Sequence, residues 1–196
     1  MKKIKNKEEE IFVDKCVNIF HDSFIVQREV KSQCKTGRID ILLTYEDNYH
    51  FGIECKPFNR KTGEMIGNYI KQAIRYQFLK WEVKENQFMR IPILICPAIS
   101  SNYFIMNNEY QIINDKIWHK DRHKLTDIHH SFNGFLGEFG IGEVRKAEPK
   151  GYRFSISNKT LFSKIEYKNG QKYYDLNHIE YLKYIHKYPD IDTLFT

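Results

Sequence analysis

Long apolar runs are missing from this chain. None of its hydrophobic stretches reaches the about 18 residues that a membrane helix needs, so no membrane span is expected. Paired cysteines are missing too. Cys16, Cys34, Cys55 and Cys96 stand far apart with no Cys-x-x-Cys among them, which argues against a zinc ribbon. Met1 to Glu10 is charged and carries no apolar core of a signal peptide. A cytoplasmic chain with reduced thiols is the expectation. There is no internal repeat, low-complexity tract or clear linker, so residues 1–196 are read as a single domain. No dimerisation signature stands out, and a homodimer or a partner subunit both remain open.

What is present fits an ordinary globular protein. The 196 residues are 41% hydrophobic and 29% charged, enough to bury a sizeable core. Thirteen Tyr and fourteen Phe serve a core or stack on bases; composition does not separate the two uses. The formal net charge of +6 favours an anionic partner. That charge is spread along the chain, which suits a folded surface that grips phosphates.

Periodicity supplies the elements. Phe12, Val13, Cys16, Val17 and Phe20 recur at helical spacing and predict a helix over 6–21. Glu9 falls near the middle of that apolar stripe, one turn before Phe12 and Val13. A carboxylate so placed needs a cation, a donor or solvent beside it. Three strands are predicted next, over 23–30, 38–45 and 49–56, the last two joined by the polar turn Glu46-Asp47-Asn48. That short turn implies an antiparallel hairpin. Residues 64–85 read as one long helix with Ile66, Tyr69, Ile70, Ala73 and Ile74 as apolar positions. Arg90 to Ala98 reads as a fully buried strand. A strand, a helix and a buried strand imply a crossover and a mixed central sheet flanked by helices, an α/β fold. Tyr103 to Trp118 fits either strand or helix, and glycines over 132–141 predict loops or a broken helix. Strands are expected over 143–157. A hairpin over 164–176 turns at Asn169-Gly170, and a last helix covers 178–188.

Chemistry gathers on the first hairpin. Alternation along 49–56 puts Phe51, Ile53 and Cys55 on one face and Gly52, Glu54 and Lys56 on the other. The partner strand offers Asp40, two residues after Arg38. With strands about 4.8 Å apart, the right register makes Asp40 and Glu54 converge. Two such carboxylates repel by roughly 4 kcal/mol near 4 Å at an effective dielectric of 20, so one takes a proton or a cation binds between them. Two carboxylates and the Cys55 backbone carbonyl suit Mg²⁺, which keeps the rest of its shell as water. Such an ion supports phosphodiester hydrolysis, with Lys56 placed to hold the water and to offset charge on the phosphorane. The bland alternative is a cross-strand charge cluster on a solvated face.

These residues resemble the PD-(D/E)XK nuclease superfamily. Its pattern of an acid, a gap, then Glu or Asp, any residue and Lys reads here as Asp40 followed by Glu54-Cys55-Lys56. Ile39 stands where the family often has Pro. Gln72-Ala73-Ile74-Arg75-Tyr76 is similar to the Gln-x-x-x-Tyr motif of bacterial recombination and phage exonucleases. Glu9 is similar to the first-helix acid that assists metal binding. The resemblance covers roughly residues 6–98 and leaves 99–196 as an α+β extension of uncertain role. It implies a restriction-endonuclease-like core and a Mg²⁺-dependent deoxyribonuclease, with Mn²⁺ as a substitute, acting in phage or bacterial DNA processing, repair or defence. It also implies roles. Asp40, Glu54, the Cys55 carbonyl and Glu9 would bind metal, with Glu10 the alternative if the helix phase differs. Lys56 would position water. Gln72 would orient that water or touch a phosphate, and Tyr76 would support Gln72 or contact DNA. A nuclease fold that binds DNA without cutting it is the alternative function. Gln72 as a surface residue, Tyr76 as simple core and Glu9 as a solvated helix-start acid are the plain readings.

A second polar cluster follows in the sequence. His119 and His123 would share a face on a helix and could bind a transition metal, with Asp121, Asp127, His129 and His130 near in sequence. Lys116, Lys120, Arg122 and Lys124 instead suggest a phosphate-contacting surface, to which Arg38 would add.

Overall fold

A computed structural model describes residues 7–56, 62–96, 110–113, 116–119, 136–147, 149–157 and 159–185. The chain begins with α1 (Lys7–Phe20), β1 (Ile25–Lys31), β2 (Arg38–Tyr45), β3 (Tyr49–Cys55) and α2 (Thr62–Gln77). Then come β4 (Trp81–Lys84), β5 (Gln87–Met89), β6 (Ile93–Cys96), β7 (Tyr110–Ile113) and β8 (Lys116–His119). It closes with β9 (Ile141–Lys146), β10 (Gly151–Ile156), β11 (Lys159–Glu166), β12 (Lys172–Leu176) and α3 (His178–Ile185).

Eight strands form one mixed sheet in the order β1-β2-β3-β6-β9-β10-β11-β12. The outer members pair antiparallel on both sides, while β3, β6 and β9 run parallel at the centre. The crossover from β3 to β6 carries α2, as a parallel pair requires. The fold is therefore mixed α/β around a large central sheet. Residues 99–196 supply four of its strands, so the second half completes the sheet that the first half begins.

Each face of the sheet buries a different kind of core. On one side α1 and α3 cover an aromatic cluster that includes Phe20, Phe24, Phe51, Phe154, Phe162 and Tyr181. Its rings meet mostly edge to face, Phe20 and Tyr152 at 5.1 Å and Phe51 and Tyr181 at 5.3 Å, the arrangement ring quadrupoles favour. On the other side Ala73 and Tyr76 of α2 pack with aliphatic residues of the sheet, among them Leu42, Ile93, Ile95 and Ile141. Local signals act where the sequence places them. Gly170 takes φ +81° in the β11–β12 turn, and Asn177 caps α3 by accepting the Glu180 N–H at 3.1 Å. Among the described residues, no helix is long and apolar enough to cross a membrane.

One predicted element is corrected. The helix expected over 64–85 stops at Gln77, and a β4–β5 hairpin follows. Helix propensity over 78–85 loses to tertiary packing. Trp81 and Val83 alternate with exposed Glu82 and Lys84, and Trp81 is fully buried edge-on to Tyr76 at 5.2 Å. Asn86, at φ +59°, reverses the chain between the two strands. The strand over 90–98 is shorter than expected, Ile93–Cys96. Within the span left open between strand and helix, Tyr110–Ile113 and Lys116–His119 are two strands that pair antiparallel. His119 therefore stands at the end of a strand, while Lys120, Arg122, Lys124, His123, His129 and His130 lie outside the described residues.

The sheet also carries a local irregularity. Ile39 and Leu42 pack on the α2 side, but Ile41 and Leu43 pack on the α1 side, so the period-two alternation shifts phase at Asp40. Across from it the pairing passes from Arg28–Ile41 to Val30–Ile39 and skips Glu29, whose φ is +55°. A non-glycine residue held there costs about 1–3 kcal/mol. Irregularities of this kind re-aim side chains, and this one lies at the hairpin's acid.

Close approach fixes Gly142 on β9. An added Cβ would lie 2.4 Å from Leu94 Cδ2 and 2.7 Å from the Ser155 carbonyl oxygen, and the carbonyl belongs to a rigid ladder. Gly142→Ala is expected to destabilise the protein by about 1–3 kcal/mol, the usual range for overpacking. Urea unfolding followed by circular dichroism reads this, and a midpoint equal to wild type would contradict the packing described.

Candidate active site

The predicted site residues meet at one end of the β2–β3 hairpin. The ladder runs from Tyr45–Tyr49 to Ile41–Ile53, and one more step in that register sets Asp40 against Glu54. There the ladder gives way to a side chain: Asp40 Oδ2 accepts the Cys55 N–H at 2.8 Å. The Cys55 side chain turns into the aromatic core, so its backbone is the part that adjoins the site. Lys56 follows at the end of β3 and donates its own N–H to the Cys96 carbonyl at 2.8 Å, which fixes the strand end against β6.

Three elements surround the Lys56 ammonium. Glu54 Oε2 lies 3.0 Å from it and Glu9 Oε1, on α1, 3.8 Å. The ring of Tyr69 on α2 lies under it at 5.4 Å, within cation–π range. Tyr69 was not singled out in the sequence as a site residue. Its spacing of three from Gln72 was the available signal, because that puts both on one helix face.

Gln72 and Tyr76 form a relay behind the carboxylates. Gln72 Nε2 donates to Glu54 Oε2 at 2.8 Å and to Tyr76 Oη at 3.1 Å. Tyr76 in turn donates to the Arg38 carbonyl at 3.0 Å and accepts the Arg38 N–H at 3.4 Å. The Gln-x-x-x-Tyr spacing thus ties α2 to Glu54 on β3 and to the start of β2. Tyr76 is buried and spends its hydroxyl on these protein groups, so its place is that of a support.

In front of this relay lies a polar cleft of about 420 Å³. Glu9, Asp40, Lys56, Gln72 and Tyr76 line its inner part, and Lys31, Lys35, Thr36 and Arg38 line its mouth. Arg38 is half exposed and pairs with Glu29 at 3.2 Å. Lys31 and Lys35 were not singled out in the sequence, since only the β1–β2 turn carries them to the cleft.

Electrostatics sets the state of the pair. Glu54 is 2% exposed and Asp40 8%. Burial raises the Glu54 carboxyl from 4.5 to about 8; Asp40 and Glu9 push the same way, against Lys56. Burial works against the Lys56 charge, but Glu54, Asp40 and Glu9 outweigh it and hold its pKa above the usual lysine value. Lys56 is therefore an ammonium, with three protons to donate and no lone pair to accept one.

The donor set fits a hard cation. Glu54 Oε1 is buried and has no hydrogen-bond partner among the described residues, an expensive state for a buried polar oxygen. Three carboxyl groups share one ammonium, so either Glu54 keeps a proton or the site takes a further cation. Among the described residues no three His, Cys, Asp or Glu side chains form a ready ligand cage. Mg²⁺ does not need one, since it binds through one or two carboxylates and keeps its waters.

The sign of the pH dependence follows from Glu54. Its folded pKa lies above the unfolded one, so the native state binds the extra proton between them. This stabilisation is full below pH 4.5 and is lost as pH rises through about 8. The protein without metal is expected to lose stability from this group by up to about 1.4 kcal/mol per pH unit within that window. Glu54→Gln should flatten that slope in urea titrations from pH 5 to 8. An unchanged slope in the variant would assign the effect elsewhere.

In comparisons with known proteins, no family model matches the chain, and no curated protein or solved structure matches it either.

Proposed function

We propose that the cleft is the active site of a divalent-metal-dependent deoxyribonuclease, built on a restriction-endonuclease-like core. The observation that carries this reading is the buried Glu54 Oε1, unpartnered among the described residues, on a carboxyl that pairs with Lys56 and lies in the field of Asp40. An acid pair with an unanswered oxygen, an ammonium beside it and a basic mouth suit a phosphodiester bound with a cation.

The residues divide the work. Asp40, Glu54 and the Cys55 carbonyl would hold Mg²⁺ or Mn²⁺, with Glu9 completing the acid set from α1. When bound, the ion supplies Lewis acidity at a phosphate oxygen and offsets the charge that builds there. Lys56, held protonated by three carboxylates, donates to the water and to the developing phosphorane charge, but takes no proton. Hydrolysis adds that water across one P–O bond, leaving a phosphate end and a hydroxyl end. Gln72 fixes the free oxygen of Glu54 by holding the other one. Tyr76 positions Gln72, and Lys31, Lys35 and Arg38 draw the phosphate backbone toward the mouth.

Two measurements test this. Linear, circular and branched DNA should be cut with Mg²⁺ or Mn²⁺ and not with EDTA. Asp40→Asn, Glu54→Gln and Lys56→Ala should each lower the rate by about a thousandfold or more, as loss of a principal transition-state contact does. A folded variant of the three that cuts at the wild-type rate would remove the assignment. DNA binding without cutting by the wild type would favour a nuclease fold that only binds.

Metal should also stabilise the fold. At a hundred times its Kd, Mg²⁺ or Mn²⁺ should add about 2.7 kcal/mol, seen as a rise in Tm. That rise should vanish in Asp40→Asn and Glu54→Gln. If both variants respond to metal as the wild type does, the ion binds somewhere else.

A further inference from the structure

Three of the four cysteines meet at one point of the fold. Cys16 lies on the inner face of α1, Cys55 ends β3 and Cys96 ends β6. β3 and β6 are adjacent and parallel, and Cys55 and Cys96 are partners in their register. Both side chains face the α1 side of the sheet, where Cys16 packs on them. Cys16 Sγ lies 3.8 Å from Cys96 Sγ, and the Cys55 thiol hydrogen-bonds to Cys16 as well. All three are free thiols.

A buried free cysteine behaves as a small apolar side chain, and three of them can simply fill a core. This cluster, however, is not sealed. Cys16 and Cys96 line a groove of about 870 Å³ between α1 and β9–β11, beside Phe12 and Val144. Cys16 is 3% exposed and Cys96 8%, whereas Cys55 is fully buried and stands behind them. A small neutral oxidant can therefore meet the first two sulfurs and not the third. The two belong to a helix and a strand 80 positions apart in the chain. A disulfide holds its sulfurs about 2.05 Å apart, so the pair must close by about 1.8 Å, a task for side-chain rotation and a small shift of α1.

We propose that Cys16 and Cys96 are a redox modification site, a dithiol that peroxide closes to a disulfide between α1 and β6. One sulfur attacks the O–O bond of the peroxide and keeps one oxygen as a sulfenic acid, while the other oxygen leaves as water. The second thiol then attacks that sulfur. The S–O bond breaks, the S–S bond forms and a second water leaves. Two thiols thus give up two electrons and two protons, and one peroxide becomes two waters. A thiol reductant reverses the step by exchange.

The bond ties together the two supports of the Glu9–Lys56 contact. Glu9 precedes Cys16 on the same helix by two turns, about 10 Å along the axis. On the other side, the Cys96 carbonyl accepts the Lys56 N–H. The modification does not depend on the nuclease reading, and its test reads a covalent bond instead of cutting.

The test uses the full chain with Cys34→Ser, because Cys34 is exposed on the β1–β2 turn and could join molecules to each other. Folded protein is treated with hydrogen peroxide, then unfolded with N-ethylmaleimide to block the remaining thiols, and its peptides are mapped by mass spectrometry without reductant. Peptides joined through Cys16 and Cys96 are expected, with Cys55 recovered in the blocked form. Dithiothreitol should separate them. The bond closes a loop of 80 residues, so oxidation should raise the urea midpoint by about 1 M, and Cys96→Ala should remove that rise. If Cys96→Ala does not fold, the map and the midpoint of the Cys34→Ser chain still decide. A bond through Cys55, thiols that stay free, or sulfinic acid in place of a bond would each overturn the proposal. A mapped Cys16–Cys96 bond that leaves the midpoint unchanged or lowers it would mark a link foreign to the native fold and would overturn it too.

Discussion

One ammonium facing three carboxylates governs this end of the molecule. Lys56 lies within ion-pair distance of Glu54 and Glu9, and Asp40 adds its field from the neighbouring strand. The arrangement is affordable only because backbone and side-chain donors share the load. The Cys55 N–H takes one oxygen of Asp40, and Gln72 joins Lys56 on one oxygen of Glu54. What remains is a buried Glu54 oxygen with no donor among the described residues, and a crowding of acids that either a proton on Glu54 or a cation relieves.

An irregularity of the sheet lies beside these acids. A regular β2 would keep Ile39 and Ile41 on one face. The phase shift at Asp40 and the left-handed Glu29 opposite give up regular pairing at one position. The shift leaves Asp40 free to reach the Cys55 N–H while Ile39 and Ile41 stay buried on opposite faces. The aliphatic and aromatic cores lose nothing to the site that lies between them.

Much of this was legible in the sequence because it is local. The alternation over 38–45 and 49–55 and the short turn between them define a hairpin whose register follows from turn length. The stripe on α1 likewise put Glu9 on the buried side. The Gln72–Tyr76 spacing was visible, but that both reach the β2–β3 hairpin depends on how α2 crosses the sheet. The end of α2 was illegible because residues 78–85 suit a helix in isolation. Their strand form rests on Trp81 packing beneath Gly37 and Tyr76, a contact some forty residues back for the glycine. The meeting of Cys16 and Cys96 carried no signal at all, since it exists only where α1 crosses β6, 80 positions further on.

β6 has a further consequence, for the order of assembly. The β1–β3 and β9–β12 meanders pair neighbours joined by short connections, and their loops close at small entropic cost. The four residues of β6 instead join partners roughly 40 to 50 positions away, Ile53 with Leu94 and Ile95 with Glu143. Its pairings therefore close the longest loops of the central sheet, and they carry the larger entropic cost. The β3–β6 seam runs beside the acids, with Asp40, Glu54 and Lys56 on its β3 side. A chain caught before β6 docks would hold its acid pair on an open sheet edge, since β3 borders only β2 and β6.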